Sequence, residues 1–186
     1  MVAVRSLCVF CGSSTGNVGA HAAAARELGA LLASRGIDLV YGGAQVGLMG
    51  VIADACLDAG GRVLGVIPRG LFSREVPHQR LTELHEVGSM HERKGLMYEL
   101  SDAFVALPGG MGTVDELAEV ATWGQIGLHA KPVVLLDVAG FWGPFVTLLD
   151  GMVEAGFLSP ANRGLIRVAT TPEDTLDLLA ATQPAR

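Results

Sequence analysis

The chain has 186 residues, half of them apolar, and a formal net charge of −6. That length suits one domain with a core of its own, so residues 1–186 are read as a single domain. The acidic balance and scattered arginines leave no basic stripe for a nucleic-acid partner, and no apolar run reaches the ~18–20 residues of a membrane span.

Residues 6–10, "SLCVF", read as a strand, and "CGSSTGN" after them as a loop. The chain start carries one arginine and a short apolar run ending in Cys-Gly, without the layout of a signal peptide. A cytoplasmic location is the expectation. Cys8 and Cys11 make a formal C-x-x-C, a spacing that in redox pairs sits where a helix begins. On a strand, residues three apart point to opposite faces. Cys8, Cys11 and Cys56 are therefore expected to be buried, reduced thiols. Residues 18–35 read as an Ala-rich helix ending before Gly36. Residues 37–41 read as a strand, "GGAQVGLMG" as a second glycine loop, 51–59 as a helix and 62–68 as a third strand. The polar stretch "RGLFSREVPHQRLTE" has no period, and its length suggests a functional loop.

Further on, 84–88 reads as a short strand, 90–100 as a helix and 102–108 as a strand. The loop "PGGMGT" then opens a helix running to about Leu128. Residues 131–137 are expected to form a strand and "FWGPFVTLLDGMVEAG" a helix with Pro144 near its start. Residues 165–170 close the sheet. A final helix follows, with Thr171 as N-cap and Pro172 as its first residue. Alternation of continuous apolar strands with helices points to an α/β fold, a doubly wound parallel sheet covered on both faces. Ligands bind such sheets beyond the carboxyl ends of the strands, where the three glycine loops should converge. The apolar surplus suits a subunit interface, with an Ala-rich monomer as the alternative.

Several familiar patterns are absent. Nothing fits a Walker A loop, and no G-x-G-x-x-G follows the first strand. "HERKG" fails the zinc motif H-E-x-x-H because Gly95 stands where the second His belongs, so no metal site is expected. Ser13, Ser14 or Asn17 in the first loop can cap the next helix, or the loop can contact a ligand. "PGGMGT" is more informative. It follows a buried strand and opens a helix, where unpaired N–H groups and the helix dipole favour a phosphate.

Asp115 and Glu116 follow at once. Thr113-Val-Asp-Glu116 fits a capping box, in which the Glu only serves the helix start. At about 100° per residue, however, Val114, Leu117, Val120, Ala121, Gly124 and Leu128 share the apolar face. Asp115 and Glu119 lie opposite it, and Glu116 falls at its edge. Glu116 is then the acid turned toward packed structure, a candidate acid/base group. In "SMHERKGLMYEL", Met90, Leu96, Met97 and Leu100 form a stripe with Arg93 in its middle. A buried arginine needs an acidic or anionic partner: a structural salt bridge, Glu116, a ligand, or the last two together. Lys94 lies at the edge of the stripe and His91 on the outer side.

Taken together, "PGGMGTVDE" and "SMHERK" resemble the two signature motifs of the LOG (Lonely Guy) family, the cytokinin riboside 5′-monophosphate phosphoribohydrolases. "VFCGSS" and "YGGAQVGLMG" are similar to that family's first two strand–loop units. The resemblance covers almost the whole chain and implies a Rossmann-like fold and a homodimer with active sites near the interface. It also implies hydrolysis of the N-glycosidic bond of AMP or an N6-substituted AMP, without a cofactor. Carried over by motif, Arg93 and Glu116 form the catalytic pair. Gly109, Gly110, Gly112 and Thr113 hold the phosphate, with Met111 among the substrate-binding residues. Glu75, Lys94 and Thr122 are further ligand contacts.

Three other readings stand beside it. A nucleotide or molybdenum-cofactor carrier on a related fold would keep the glycine loop but not need the Arg93–Glu116 pair. A decarboxylase using pyridoxal phosphate needs a Schiff-base lysine, and the chain has only Lys94 and Lys131. A structural module leaves the buried arginine unexplained.

Overall fold

The structure, a computed structural model, describes residues 4–71 and 75–181. Its strands are β1 (Ser6–Phe10), β2 (Asp38–Tyr41), β3 (Val63–Pro68), β4 (Glu83–Val87), β5 (Ala103–Ala106), β6 (Val133–Leu136) and β7 (Ile166–Ala169). They form one sheet in the order β4-β3-β2-β1-β5-β6-β7. Every pairing is parallel. The helices are α1 (Gly19–Ser34), α2 (Gly47–Asp58), α3 (Met90–Glu99), α4 (Met111–Gln125), α5 (Gly143–Glu154), α6 (Pro160–Arg163) and α7 (Pro172–Ala181). This is the doubly wound, Rossmann-like α/β architecture that the alternating pattern predicts.

Central strands read as unbroken apolar runs because both faces are covered. One face carries Leu28 and Leu32 of α1, Ile52 of α2 and Leu176 of α7. The other carries Met97 of α3, Leu117 and Val120 of α4 and Leu149 of α5. Cys11 packs in the first layer and Cys8 in the second. All three cysteines are free and buried, as strand periodicity requires. The edge strand β4 is different: Glu83 and Glu86 stay exposed, which discourages pairing with another chain. No helix among the described residues is long and apolar enough to cross a membrane.

Helix starts show where local patterns mislead. The capping box lies at α3, not α4. Ser89 Oγ accepts from Glu92 N at 3.1 Å, and Glu92 Oε2 accepts from Gly88 N at 2.8 Å. In α4 the N-cap is Gly110 and no side chain caps it, so Thr113 already lies inside the first turn. Likewise α1 follows Val18 without a side-chain cap; Ser14 instead accepts from Gly16 N at 3.2 Å. Helix α2 begins at Gly47 rather than 51, because Leu48 and Met49 already pack in the core. Leu128 lies beyond the end of α4 and is exposed. The short helix α6, capped by Ser159, has too few residues to show a period. Thr171 does cap α7, accepting from Asp174 N at 3.1 Å.

Chain direction across the sheet reverses between β1 and β5. Connections from β1 run one way through β2 to β3, and those from β5 run the other way through β6 to β7. The loops after β1 and β5 therefore diverge and leave a crevice at the carboxyl edge, where such sheets bind ligands.

Candidate active site

A cleft of about 330 Å³ occupies that crevice. Cys11, Gly12 and Ser13 line it from the loop after β1, and Gly110 to Thr113, Asp115 and Glu116 from the start of α4. Met49 of α2, Met90 and Arg93 of α3, and Glu75 complete the wall. Three backbone bonds tie the loops together. Gly12 N donates to Pro108 O at 3.1 Å, Leu107 N to Phe10 O at 2.9 Å and Leu48 N to Gly12 O at 3.0 Å. Gly109 is glycine for a steric reason: a Cβ there would strike the Thr113 side chain and come within 3.0 Å of Gly12 N.

With no side chain capping α4, its first N–H groups lack intrahelical partners and face the cleft mouth with the positive end of the helix dipole. Such an end favours a phosphate. Thr113 is buried beneath it, while Met111 is exposed at the rim. Of the glycine-loop residues expected to bind the substrate, Gly110, Met111, Gly112 and Thr113 line the cleft, and Gly109 shapes the loop behind them.

Glu116 sits half-buried one turn further along α4. Burial pushes its carboxyl up to about 7, against the opposing pull of Arg93. The negative charges of Glu75 and Asp115 add to the rise, and Lys94 opposes it. Among the described residues its carboxylate has no hydrogen-bond partner. A carboxyl that titrates near neutrality in a cleft is suited to acid/base work.

Arg93 is buried, as the helical phase predicts, with 4% of its surface exposed. Its Nη2 donates to Gly42 O at 2.7 Å and to Glu75 Oε2 at 3.0 Å. The direct ion pair is therefore with Glu75, while the influence of Arg93 on Glu116 is through its field. Among the described residues, Nη1 has only a long contact to Met90 Sδ at 3.9 Å, and the buried Nε has no hydrogen-bond partner. An unpaired buried donor costs about 1–3 kcal/mol. A bridge built only for stability would not leave it so.

Lys94 lies outside the cleft wall. Its Nζ pairs with Asp115 Oδ2 and Glu119 Oε2 of α4, both at 3.1 Å. Thr122 is exposed further along α4, its hydroxyl donating to Ala118 O at 2.7 Å. His91 is exposed, as expected. Gly42, Met49, Met90, Cys11 and Gly12 also reach the site, although no residue pattern marks them as site residues. Their signal is the pair of glycine-rich strand–loop units that hold four of them. Gly42 is needed where it is because a Cβ there would run into the Arg93 guanidinium.

Neither lysine fits a Schiff base in this cleft. Lys94 is held by its two carboxylates, and Lys131 lies 3.7 Å over the Tyr98 ring, donating to Tyr98 O at 2.7 Å. Pyridoxal phosphate chemistry, which needs such a lysine, does not match these residues.

Comparison with known proteins bears on that point. A family profile described as "Possible lysine decarboxylase" matches residues 49–179. Curated relatives carry a different activity in their names. A cytokinin riboside 5′-monophosphate phosphoribohydrolase of Arabidopsis thaliana is 48% identical over 94% of this chain and 82% of its own length. One from Oryza sativa is 49% identical over 91% of this chain and 70% of its own. Among solved structures, a molybdenum cofactor binding protein from Rippkaea orientalis superposes with a TM-score of 0.72 at 22% identity. That match covers 97% of this chain and 98% of the other, and at such identity it speaks to the fold alone.

Proposed function

The chain belongs to the cytokinin riboside 5′-monophosphate phosphoribohydrolase family, and from that premise we propose that it hydrolyses the N-glycosidic bond of AMP or an N6-substituted AMP. The products are the free base and ribose 5-phosphate. The observation that carries this reading is the position of Glu116: a carboxyl titrating near neutrality, one helical turn from an uncapped helix start.

The 5′-phosphate sits on the N–H groups of Gly110 to Thr113, which places the ribose along the first turn of α4 beside Glu116. Leaving of the base passes through an oxocarbenium-like state, by analogy with glycoside hydrolysis. The ionised Glu116 carboxylate stabilises that cation and orients the attacking water. In its protonated form, favoured below neutral pH, the same group neither attracts the cation nor accepts a proton. Arg93 and Glu75 together set the local field, and Arg93 Nε, unpartnered among the described residues, supports a role toward the ligand. Water supplies the hydroxyl that ends on the ribose, and its proton balances the departing base.

Lys94 and Thr122 lie outside the cleft of a single chain. As ligand contacts they belong to a homodimer in which α4 borders the subunit interface. The exposed Met111, Ile126 and Leu128, on α4 and just after it, support that arrangement. A cytoplasmic setting accords with three free thiols among the described residues.

The test is product analysis. Purified protein is incubated with AMP and with N6-isopentenyladenosine monophosphate, and free base and ribose 5-phosphate are measured. Release from either supports hydrolysis. Tight binding without release from any nucleoside monophosphate would favour a carrier.

A further inference from the structure

Glu75 lies on no helix or strand, yet its carboxylate meets Arg93 at 3.0 Å. What fixes it lies on the side of the segment away from the cleft. Gln45 N donates to Val76 O and His78 N to Gly43 O, both at 2.9 Å, and Ala44 bridges to Pro77. These bonds join residues 76–78 to the loop whose Gly42 carbonyl holds Arg93.

His78 locks the arrangement from behind. Its side chain is buried, with Nε2 3.1 Å from Asp54 Oδ1 of α2. Its Nδ1 accepts from Arg80 N at 3.1 Å. Because Nδ1 accepts, the proton is on Nε2, which donates to Asp54. Both ring nitrogens are satisfied, so this ring has one preferred orientation. Asp54 also receives Arg80 Nη1 at 3.2 Å. Neither His78 nor Asp54 lines the cleft.

We infer that His78 and Asp54 are positioning residues for the hydrolytic site: their bond clamps residues 76–80 to α2 and thereby holds Glu75 against Arg93. The inference rests on the hydrolytic reading above. Without the clamp, the Glu75 carboxylate leaves Arg93, and the guanidinium then acts on Glu116 undiluted. The charged groups facing Glu116 are Arg93 and Lys94 from α3, Glu75 from the clamped segment and Asp115 from its own helix. Removing Glu75 from that set lowers the pH at which Glu116 ionises and misplaces the guanidinium.

The experiment is steady-state hydrolysis of AMP across the pH range by full-length His78→Ala, His78→Gln, Asp54→Ala and Asp54→Asn, with Glu27→Ala, exposed on α1, as a control. Folding is checked by circular dichroism. Misplacement of a group in a catalytic constellation costs up to about 100-fold. We expect kcat to fall by about tenfold to 100-fold in His78→Ala and Asp54→Ala, with a smaller change in KM, and the acid limb of the pH profile to move to lower pH. Gln at position 78 still donates and Asn at 54 still accepts, so both should recover activity relative to the alanines. Glu27→Ala should match the wild type. Folded alanine variants with wild-type kcat and an unmoved acid limb would overturn the inference. So would a loss of activity that leaves the limb in place and is not rescued by Gln or Asn, the pattern of a merely structural role.

An inactive wild type would instead count against the hydrolytic reading. The clamp is then tested by hydrogen exchange at the Gln45 and His78 amides. Protection lost in His78→Ala supports the clamp, and protection retained overturns it.

Discussion

The Arg93 guanidinium meets the Glu75 carboxylate at 3.0 Å, buried between α3 and a segment without regular structure. Burying a charge pair is a weak route to stability, because desolvation offsets the Coulombic gain. Among the described residues this pair also leaves Arg93 Nε without a hydrogen-bond partner. The proposed phosphorylated sugar would give the arrangement a purpose.

Arg93→Ala would leave Glu75 without its partner beside a buried cavity. Breaking a buried pair costs about 3–5 kcal/mol; Glu75 is partly accessible, so the loss expected here is at the lower end, about 3 kcal/mol, by urea denaturation. A stability unchanged from wild type would show that the pair is not held in solution.

Gly42→Ala displaces Arg93 without removing it. The added methyl occupies the place of the guanidinium, so Arg93 must leave Glu75. The variant should melt below wild type, by no more than Arg93→Ala does, and lose about 100-fold in kcat/KM. Wild-type kinetics in Gly42→Ala would mean that the placement of Arg93 does not matter for turnover.

Glu116 links stability to pH. Its carboxyl holds a proton to about 7 in the folded chain, against 4.5 as the ordinary value. Between those limits the folded state binds more protons than the unfolded one, so this group lowers stability as pH rises through the window. Glu116→Gln should therefore melt higher than wild type above neutral pH, with the difference fading toward pH values below the ordinary carboxyl range. A difference independent of pH would contradict the raised titration. The same group should give the activity of the wild type an acid limb near neutrality, rising with pH as Glu116 ionises.

If the start of α4 seats a phosphate, a nucleoside lacking its 5′-phosphate should be a poor substrate, losing both binding and the orientation that binding provides. Inorganic phosphate should compete with AMP. Adenosine hydrolysed as efficiently as AMP would remove the phosphate from the account.

Ile126→Asp and Leu128→Asp test the homodimer. Both residues are largely exposed in the single chain, so the charges should be tolerated by the fold. Sedimentation should show a dimer for wild type and a shift toward monomer for the pair, with loss of activity if α4 borders the interface. A wild-type monomer with full activity would contradict that arrangement.

The sheet was legible because unbroken apolar runs leave few alternatives in a chain of alternating elements. The burial of Arg93 and the inward turn of Glu116 followed from helical phase, since an α-helix assigns faces with little outside help. Partners across the fold were not legible. Glu75 reaches Arg93 from a segment with no period, and nothing local announces the pairing. Lys94 sits beside Arg93 in sequence, yet it pairs with Asp115 and Glu119 of α4 instead. Short motifs also had two meanings. Thr113 and Glu116 spell a capping box but sit inside a helix begun at Met111; the box that forms is Ser89 with Glu92. The resemblance to a known family brought the separated pieces together, and the fold shows why: strand reversal between β1 and β5 gathers them at one edge.

The most direct test of the central claim is kcat for AMP and N6-isopentenyladenosine monophosphate in folded Glu116→Gln. Gln keeps the size of Glu, and the helix start does not depend on a side chain at this position. Loss of a carboxylate that acts in the transition state should reduce kcat by about 1,000-fold or more while leaving KM little changed. Base release at the wild-type rate by a folded Glu116→Gln would contradict the account.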